Sequence, residues 1–172
     1  VLPGFMAGDE SMMVLRGYLS SMGYTALPWL LGRNTGGLEV MQARLRDRFE
    51  EACTQSNSPV SLIGQSLGGI YARELARWAP DKVRQVITLG SPFGVTHAGE
   101  TQSAVKRLFE QQTGMTLAQM RDAITTMELR KTPPIPLTAI YSKGDGIVNW
   151  RVCREVDEDH QTQNVEVWGS HC

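Results

Sequence analysis

The sequence predicts an α/β protein with a mostly parallel sheet of about six strands and helices on both faces. Short apolar runs alternate with amphipathic stretches at helical spacing, an order typical of parallel sheets. The motifs that could take part in catalysis or binding follow predicted strands, where open sheets of this kind form their sites. At 172 residues, of which 41% are hydrophobic, the chain is expected to form a single domain spanning 1–172.

Net charge and cysteine content exclude several classes of function. A net charge of −1 gives no electrostatic reason to expect nucleic acid as a partner. We expect no membrane span, because no apolar run is long enough to cross a bilayer. We also expect no leader peptide, because no basic segment followed by an apolar one is present. The compartment, cytoplasmic or secreted and trimmed, stays open, as does the oligomeric state. No Cys/His spacing matches a zinc site, so no metal is expected.

The three cysteines predict different environments. Cys53 lies on the apolar stripe of a predicted helix, which favours a buried thiol. Cys153 and Cys172 both lie in the C-terminal region, where a disulfide between them would fix the last loop. Two unrelated thiols are the alternative.

The N-terminal third predicts two strands and two helices. Leu2–Gly8 reads as the end of a short strand that runs into a glycine-containing loop. A helix capped by Ser11 should extend to about Met22, and Thr25–Leu31 predicts the second strand. After a turn-rich loop at 32–37, apolar residues at helical spacing predict an amphipathic helix over Leu38–Ala52.

The remaining two thirds predict four more strands and a helical insertion. One helix should follow the first of these strands and include Trp78, and residues 101–130 predict two helices broken near Gly114. The strands are predicted at these apolar, turn-bounded runs: Val60–Ile63, Val83–Leu89, Pro136–Ser142 and Asn164–Trp168.

The stretch around Ser66 predicts a nucleophile. A β-prone run ends at Gly64, Ser66 follows, and a helical pattern begins after Gly68, so G-x-S-x-G stands between a strand and a helix. Side chains at the two glycines would collide with neighbouring backbone in so sharp a turn. The turn would strain the serine and expose its hydroxyl, while the helix N-terminus supplies unpaired N–H groups.

A serine hydroxyl needs a base to accept its proton and an acid to orient that base. His171 follows the last predicted strand and is the preferred base, with His97 and His160 as alternatives. Asp145 follows the Pro136–Ser142 strand and is the preferred acid. It lies between two glycines that permit a tight turn, although Asp-Gly is also a common turn sequence. Asp157 and Asp159 are the alternative acids.

Acyl transfer also needs two aligned N–H donors for the oxyanion. Leu67 follows the nucleophile and would supply one. The other should come from the loop after the first strand, where Gly4 allows backbone to approach a substrate. Phe5 is the preferred donor, and Met6 is its neighbouring alternative.

Together, the order Ser66, Asp145, His171 and the upstream Leu-Pro-Gly-Phe resemble the α/β-hydrolase superfamily, and within it small lipases and esterases. The resemblance covers nearly the whole chain. It implies a Ser-His-Asp mechanism through an acyl-enzyme, with no cofactor, and a short cap at about 93–132. The chain departs from the family in size and in having Pro3 where many members have histidine. A minimal or trimmed version of the fold is therefore expected.

The predicted function is hydrolysis of carboxylic esters with lipid-like or other apolar acyl groups. Met6, Gln65 and Val95 are the predicted substrate contacts, although apolar residues there could equally pack into the core. A thioesterase, an amidase or an acyltransferase would use the same triad. A non-catalytic binding domain of the same fold is the alternative from another class. A nucleotide-binding domain is not supported, because no G-x-G-x-x-G or Walker-type loop follows a strand.

Overall fold

The computed structural model describes residues 1–94, 110, 116, 131–156 and 161–171, leaving aside the side chains of 38–40. In chain order its helices and strands are α1 (Met13–Ser21), α2 (Leu38–Ser56), β1 (Val60–Gln65), α3 (Leu67–Trp78), β2 (Val83–Leu89), β3 (Leu137–Tyr141) and β4 (Thr162–Glu166). Short 3₁₀ turns occupy Pro80–Lys82 and Trp150–Cys153. No described helix is long and apolar enough to cross a membrane.

The four strands form one parallel sheet in the order β1-β2-β3-β4. Each strand therefore pairs with the next strand in the sequence, and all four carboxyl ends lie at one edge. β2 has the bounds that its apolar run predicted, and β1 continues two residues further than expected, to Gln65. The last strand is displaced toward the N-terminus, Thr162–Glu166 rather than Asn164–Trp168.

Helix α3 is the principal cover of the sheet and packs on β1 and β2. Nine of its twelve residues are buried, which is why its sequence is apolar over more than one stripe. Helix α2 contacts both α3 and β1. Its predicted apolar stripe is confirmed at Met41, Leu45 and Phe49, each at most 5% exposed. Cys53, predicted to be buried, is only partly so.

The described residues contain four strands, fewer than the expected count of about six. The predicted strand at Thr25–Leu31 does not form, because its backbone donors are used elsewhere. Pro28 has no N–H, and the Asp9 carboxylate accepts the N–H groups of Trp29 at 2.7 Å and Leu30 at 2.9 Å. A positive φ of 59° at Leu30 also departs from strand geometry.

The first predicted strand is reduced to one parallel bridge between Leu2 and Gly64. Two hydrogen bonds hold it: Leu2 N to Ile63 O at 2.8 Å and Gln65 N to Leu2 O at 3.0 Å. Residues 3–7 therefore start directly beside the end of β1, and we call 3–7 the oxyanion segment because it contains the predicted donors.

Helix α1 starts later than predicted, and Ser11 does not cap it. The N-cap position is Met12, without a side-chain cap, because Ser11 Oγ donates to Gly8 O at 2.8 Å. Gly23, with φ 88°, follows its end as expected. Most of the predicted cap, including Gly114, lies outside the described residues.

Candidate active site

The turn between β1 and α3 has the strained geometry of a nucleophile elbow. Ser66 has φ 50° and ψ −120°, a region that residues other than glycine rarely adopt. The turn is held by a hydrogen bond from Ser66 N to Leu89 O, at 2.8 Å, at the end of the neighbouring strand. A Cβ at Gly64 would overlap Gly68 backbone, and one at Gly68 would overlap the carbonyl of Leu2. The two glycines are therefore sterically required.

An acid–histidine pair lies at the same edge of the sheet. Asp145 follows β3, and its Oδ2 is 2.6 Å from His171 Nδ1. Its other oxygen, Oδ1, accepts the N–H groups of Ile147 at 2.8 Å and Val148 at 2.9 Å. The side chain of Asp145 is 4% exposed, and that of His171 is 9% exposed. The backbone donors fix the carboxylate, and the carboxylate in turn fixes the imidazole.

The hydrogen bond to Asp145 assigns the tautomer of His171. A carboxylate can only accept, so Nδ1 carries the proton and Nε2 presents its lone pair. Gly90 lies against this pair, since a Cβ there would be 3.3 Å from Asp145 Oδ2 and 3.4 Å from His171 Nδ1. Among the hydrogen bonds of the described residues, none joins Ser66 Oγ to His171.

The oxyanion segment lies on the other side of the serine. A Cβ on Gly4 would be 3.3 Å from Ser66 Cβ, so this backbone is in contact with the elbow. Leu67 is the first residue of α3, and its N–H has no acceptor within the helix. The Met6 N–H donates to Asn34 O at 2.6 Å, which removes Met6 as an oxyanion donor in this conformation.

Comparison with known proteins identifies the fold but gives no sequence relative. No family model matches the chain, and no curated protein matches it. A monoacylglycerol lipase from Paleococcus ferrophilus superimposes with a TM-score of 0.71 at 14% identity, covering 99% of this chain and 84% of that one. The chain has the α/β-hydrolase fold.

Two further solved structures share the α/β-hydrolase fold. An extracellular α/β-hydrolase from a Paenibacillus species has a TM-score of 0.61 at 13% identity, covering 99% of this chain and 89% of that one. A thioesterase domain from the curacin biosynthetic pathway has a TM-score of 0.59 at 11% identity, covering 99% and 83%. Proteins named as a lipase and as a thioesterase both share this fold, so the fold leaves the substrate of this chain open.

Within this α/β-hydrolase fold, the predicted site residues divide into three groups. Asp145 and His171 are in direct contact, and Ser66, Leu67 and Phe5 lie at the adjoining turn and segment. Gln65, a predicted substrate contact, instead donates Nε2 to His171 O at 3.0 Å. Met6, the second predicted substrate contact, lies in the oxyanion segment. The third, Val95, and the alternative residues His97, Asp157, Asp159 and His160 lie outside the described residues.

The segment after β4, residues 167–171, carries His171, and we call it the histidine loop. Sequence reasoning missed the residues that hold this loop in place. Ser142 Oγ donates to Gly169 O at 2.6 Å and accepts from Gly144 N at 3.1 Å, which joins the acid loop to the histidine loop. Val167 N donates to Tyr141 O at 2.9 Å. The position of Ser142 directly before the acid loop was the one available signal in the sequence.

Cys153 is a buried free thiol near the acid. Burial first, and the charge of Asp145 second, raise the pKa of the Cys153 thiol to about 12. Because Cys153 is free, the structure does not contain the predicted disulfide to Cys172, a residue that lies outside the described ones. Among the described residues, no group of three or more His, Cys, Asp and Glu side chains is arranged to hold a metal ion.

Proposed function

We propose that the protein is a serine hydrolase that cleaves carboxylic esters with lipid-like or other apolar acyl groups. The observation that carries the proposal is the 2.6 Å contact between Asp145 and His171, at the sheet edge where the strained Ser66 elbow also lies. A buried acid–imidazole pair at the same sheet edge as a half-buried serine in a strained turn matches the needs of nucleophilic acyl transfer.

In the proposed first half-reaction, Ser66 Oγ attacks the ester carbonyl carbon while His171 Nε2 takes the hydroxyl proton. Asp145 holds the imidazole and stabilises the imidazolium that forms. The N–H groups of Leu67 and Phe5 stabilise the oxyanion. The intermediate then expels the alcohol, which receives the proton from His171, and leaves an acyl group on Ser66.

In the second half-reaction, water attacks the acyl-enzyme and gives its proton to His171 Nε2. The tetrahedral intermediate expels Ser66 Oγ, which is reprotonated, and the carboxylic acid leaves. The hydrogen bond between Ser66 Oγ and His171, absent in this structure, would form when substrate binds, because catalytic hydrogen bonds often tighten in the Michaelis complex.

We further propose that 1–172 is one domain whose insertion at about 93–132 caps the site.

A series of nitrophenyl esters from acetyl to palmitoyl tests this function. We expect turnover by the wild type and a loss of at least about 10⁴-fold in kcat for Ser66→Ala. Ser20→Ala, at an exposed position of α1, is the matched control and should keep the wild-type rate. Acyl thioesters of the same chain lengths separate an esterase from a thioesterase. Folded wild-type protein that hydrolyses none of these substrates would refute the proposal.

A further inference from the structure

Asn34 is a fully buried polar side chain next to the oxyanion segment. Its Nδ2 donates to Pro3 O at 2.9 Å, and its Oδ1 accepts from Gly36 N at 3.2 Å and Tyr71 Oη at 3.3 Å. Because the Pro3 carbonyl can only accept and the Gly36 N–H can only donate, these partners fix the orientation of the amide. An aspartate at this position could not make the same bonds.

The backbone of Asn34 contacts the same segment. Met6 N donates to Asn34 O at 2.6 Å, and Asn34 N donates to Ala7 O at 2.8 Å. Met6 has φ 61°, in the left-handed region that a residue with a side chain rarely occupies. Such a conformation persists only where surrounding contacts enforce it, and the bond to Asn34 is one of those contacts.

Three hydrogen bonds, two of them made by Asn34, fix the direction of the Phe5 N–H. Each peptide unit is planar, so fixing one of its polar groups fixes the other. The Asn34 side chain fixes the peptide that carries Pro3 O, and the Asn34 backbone fixes the peptide that carries the Met6 N–H. The peptide between them contains the Phe5 N–H. Its carbonyl, Gly4 O, accepts a hydrogen bond from Ala7 N at 3.2 Å.

We propose that Asn34 is a positioning residue that holds the oxyanion segment in the conformation needed for transition-state stabilisation. It acts through the two peptide planes beside the Phe5 N–H and does not touch the substrate. The inference rests on the proposed ester hydrolysis, in which Phe5 is an oxyanion donor. It extends that proposal to a residue from a loop whose role the sequence left unassigned.

Asn34→Asp is the sharpest variant, because it keeps the shape of the side chain and replaces the Nδ2 donor with an oxygen facing Pro3 O. Asn34→Ala is the second variant, in case the aspartate prevents folding. We expect kcat per titrated active site to fall about 10- to 100-fold, with KM changed less than about threefold, since the lost interaction acts in the transition state. Affinity for an acyl trifluoromethyl ketone should fall by a similar factor.

Two controls separate this role from general packing. Thr35→Ala changes an exposed neighbour in the same loop and should leave kcat and the amide exchange of residues 4–7 unchanged. Tyr71→Phe removes one donor to Asn34 Oδ1 but leaves the Nδ2 bond to Pro3 O, so it should have a smaller effect than either Asn34 variant.

Hydrogen exchange tests the inference without relying on activity. In the Asn34 variants, amide exchange at residues 4–7 should accelerate while exchange within α3 and β1 stays at the wild-type rate. Unchanged exchange at 4–7 would overturn the inference, and so would equal acceleration throughout the sheet. A kcat per titrated site equal to that of the wild type would also overturn it. If wild-type protein hydrolyses no ester, the proposed function fails, and the exchange measurement alone decides the role of Asn34.

Discussion

The two carboxylate oxygens of Asp145 have different partners. Oδ1 accepts two backbone N–H groups, from Ile147 and Val148, and Oδ2 faces His171 Nδ1. The short loop after β3 therefore helps to orient the carboxylate through hydrogen bonds that do not involve His171. Gly90, with φ 54°, permits backbone to pass within contact distance of the pair.

Asp145→Asn tests whether this contact sets the tautomer. The new side chain can still accept from the backbone with its oxygen, but its NH₂ group would face His171 Nδ1. The imidazole would then carry its proton on Nε2 and could not accept the serine proton. We expect kcat for nitrophenyl esters to fall about 10⁴-fold while the fold is retained.

The matched control is Asp81→Asn, which makes the same change at an exposed 3₁₀ turn and should keep the wild-type kcat. Far-ultraviolet circular dichroism checks that both variants are folded. An Asp145→Asn variant with the wild-type kcat would remove Asp145 from the proposed triad.

Among the helices and strands, α3 is fixed to the C-terminal part of the chain by a buried ion pair. Arg73, fully buried in α3, contacts Glu155, which lies after the 3₁₀ turn at Trp150–Cys153. Glu155 also accepts from Thr132 Oγ1 at 3.0 Å, and its backbone N donates to Asn164 Oδ1 in β4 at 3.0 Å. The Arg73 guanidinium lies 4.0 Å from the Phe93 ring centroid. The pair thus joins α3 to β4 and to both ends of the predicted cap.

Burial is the largest influence on this guanidinium. It lowers the pKa of Arg73, and the charge of Glu155 opposes that shift by raising it. We therefore expect Glu155→Leu to reduce the free energy of unfolding by about 3–5 kcal/mol, because it removes the carboxylate that neutralises a buried guanidinium. The double variant Arg73→Met/Glu155→Leu should be destabilised less than the single variant.

Urea unfolding measures both variants. Glu50→Gln is the control, because it breaks an exposed pair with Lys82, whose side chains are 41% and 49% exposed, and should cost less than about 1 kcal/mol. A Glu155→Leu variant that loses no more stability than the control would contradict the role given to the pair.

Local signals in the sequence predicted the elements of the sheet that position the site. The runs that begin at Val60 and Val83 have strand length and are bounded by turn residues, and these two signals were enough to find them. The prediction of a strand at Thr25–Leu31 was wrong, because the sequence could not show that the Asp9 carboxylate accepts hydrogen bonds from two N–H groups of this segment. The β-propensity of this segment was outweighed by a hydrogen bond from Trp29 N to Asp9, which lies twenty residues earlier in the chain.

Across the whole molecule, the candidate triad was predictable because each member follows a predicted strand, and parallel strands bring their carboxyl ends to one edge. The contacts that hold the triad were not predictable in this way. The bond from Asn34 to Pro3 spans 31 residues, and that from Gln65 to His171 spans 106. Such pairs leave no periodic or local pattern, so only the folded chain reveals them.

The proposed ester hydrolysis requires Ser66 to be an activated nucleophile. Treatment of the folded protein with a fluorophosphonate, followed by intact-mass analysis and peptide mapping, tests it most directly. We expect one adduct per chain, located on Ser66, and none in Ser66→Ala. Folded wild-type protein that stays unmodified, or an adduct on a different serine that persists in Ser66→Ala, would contradict the account.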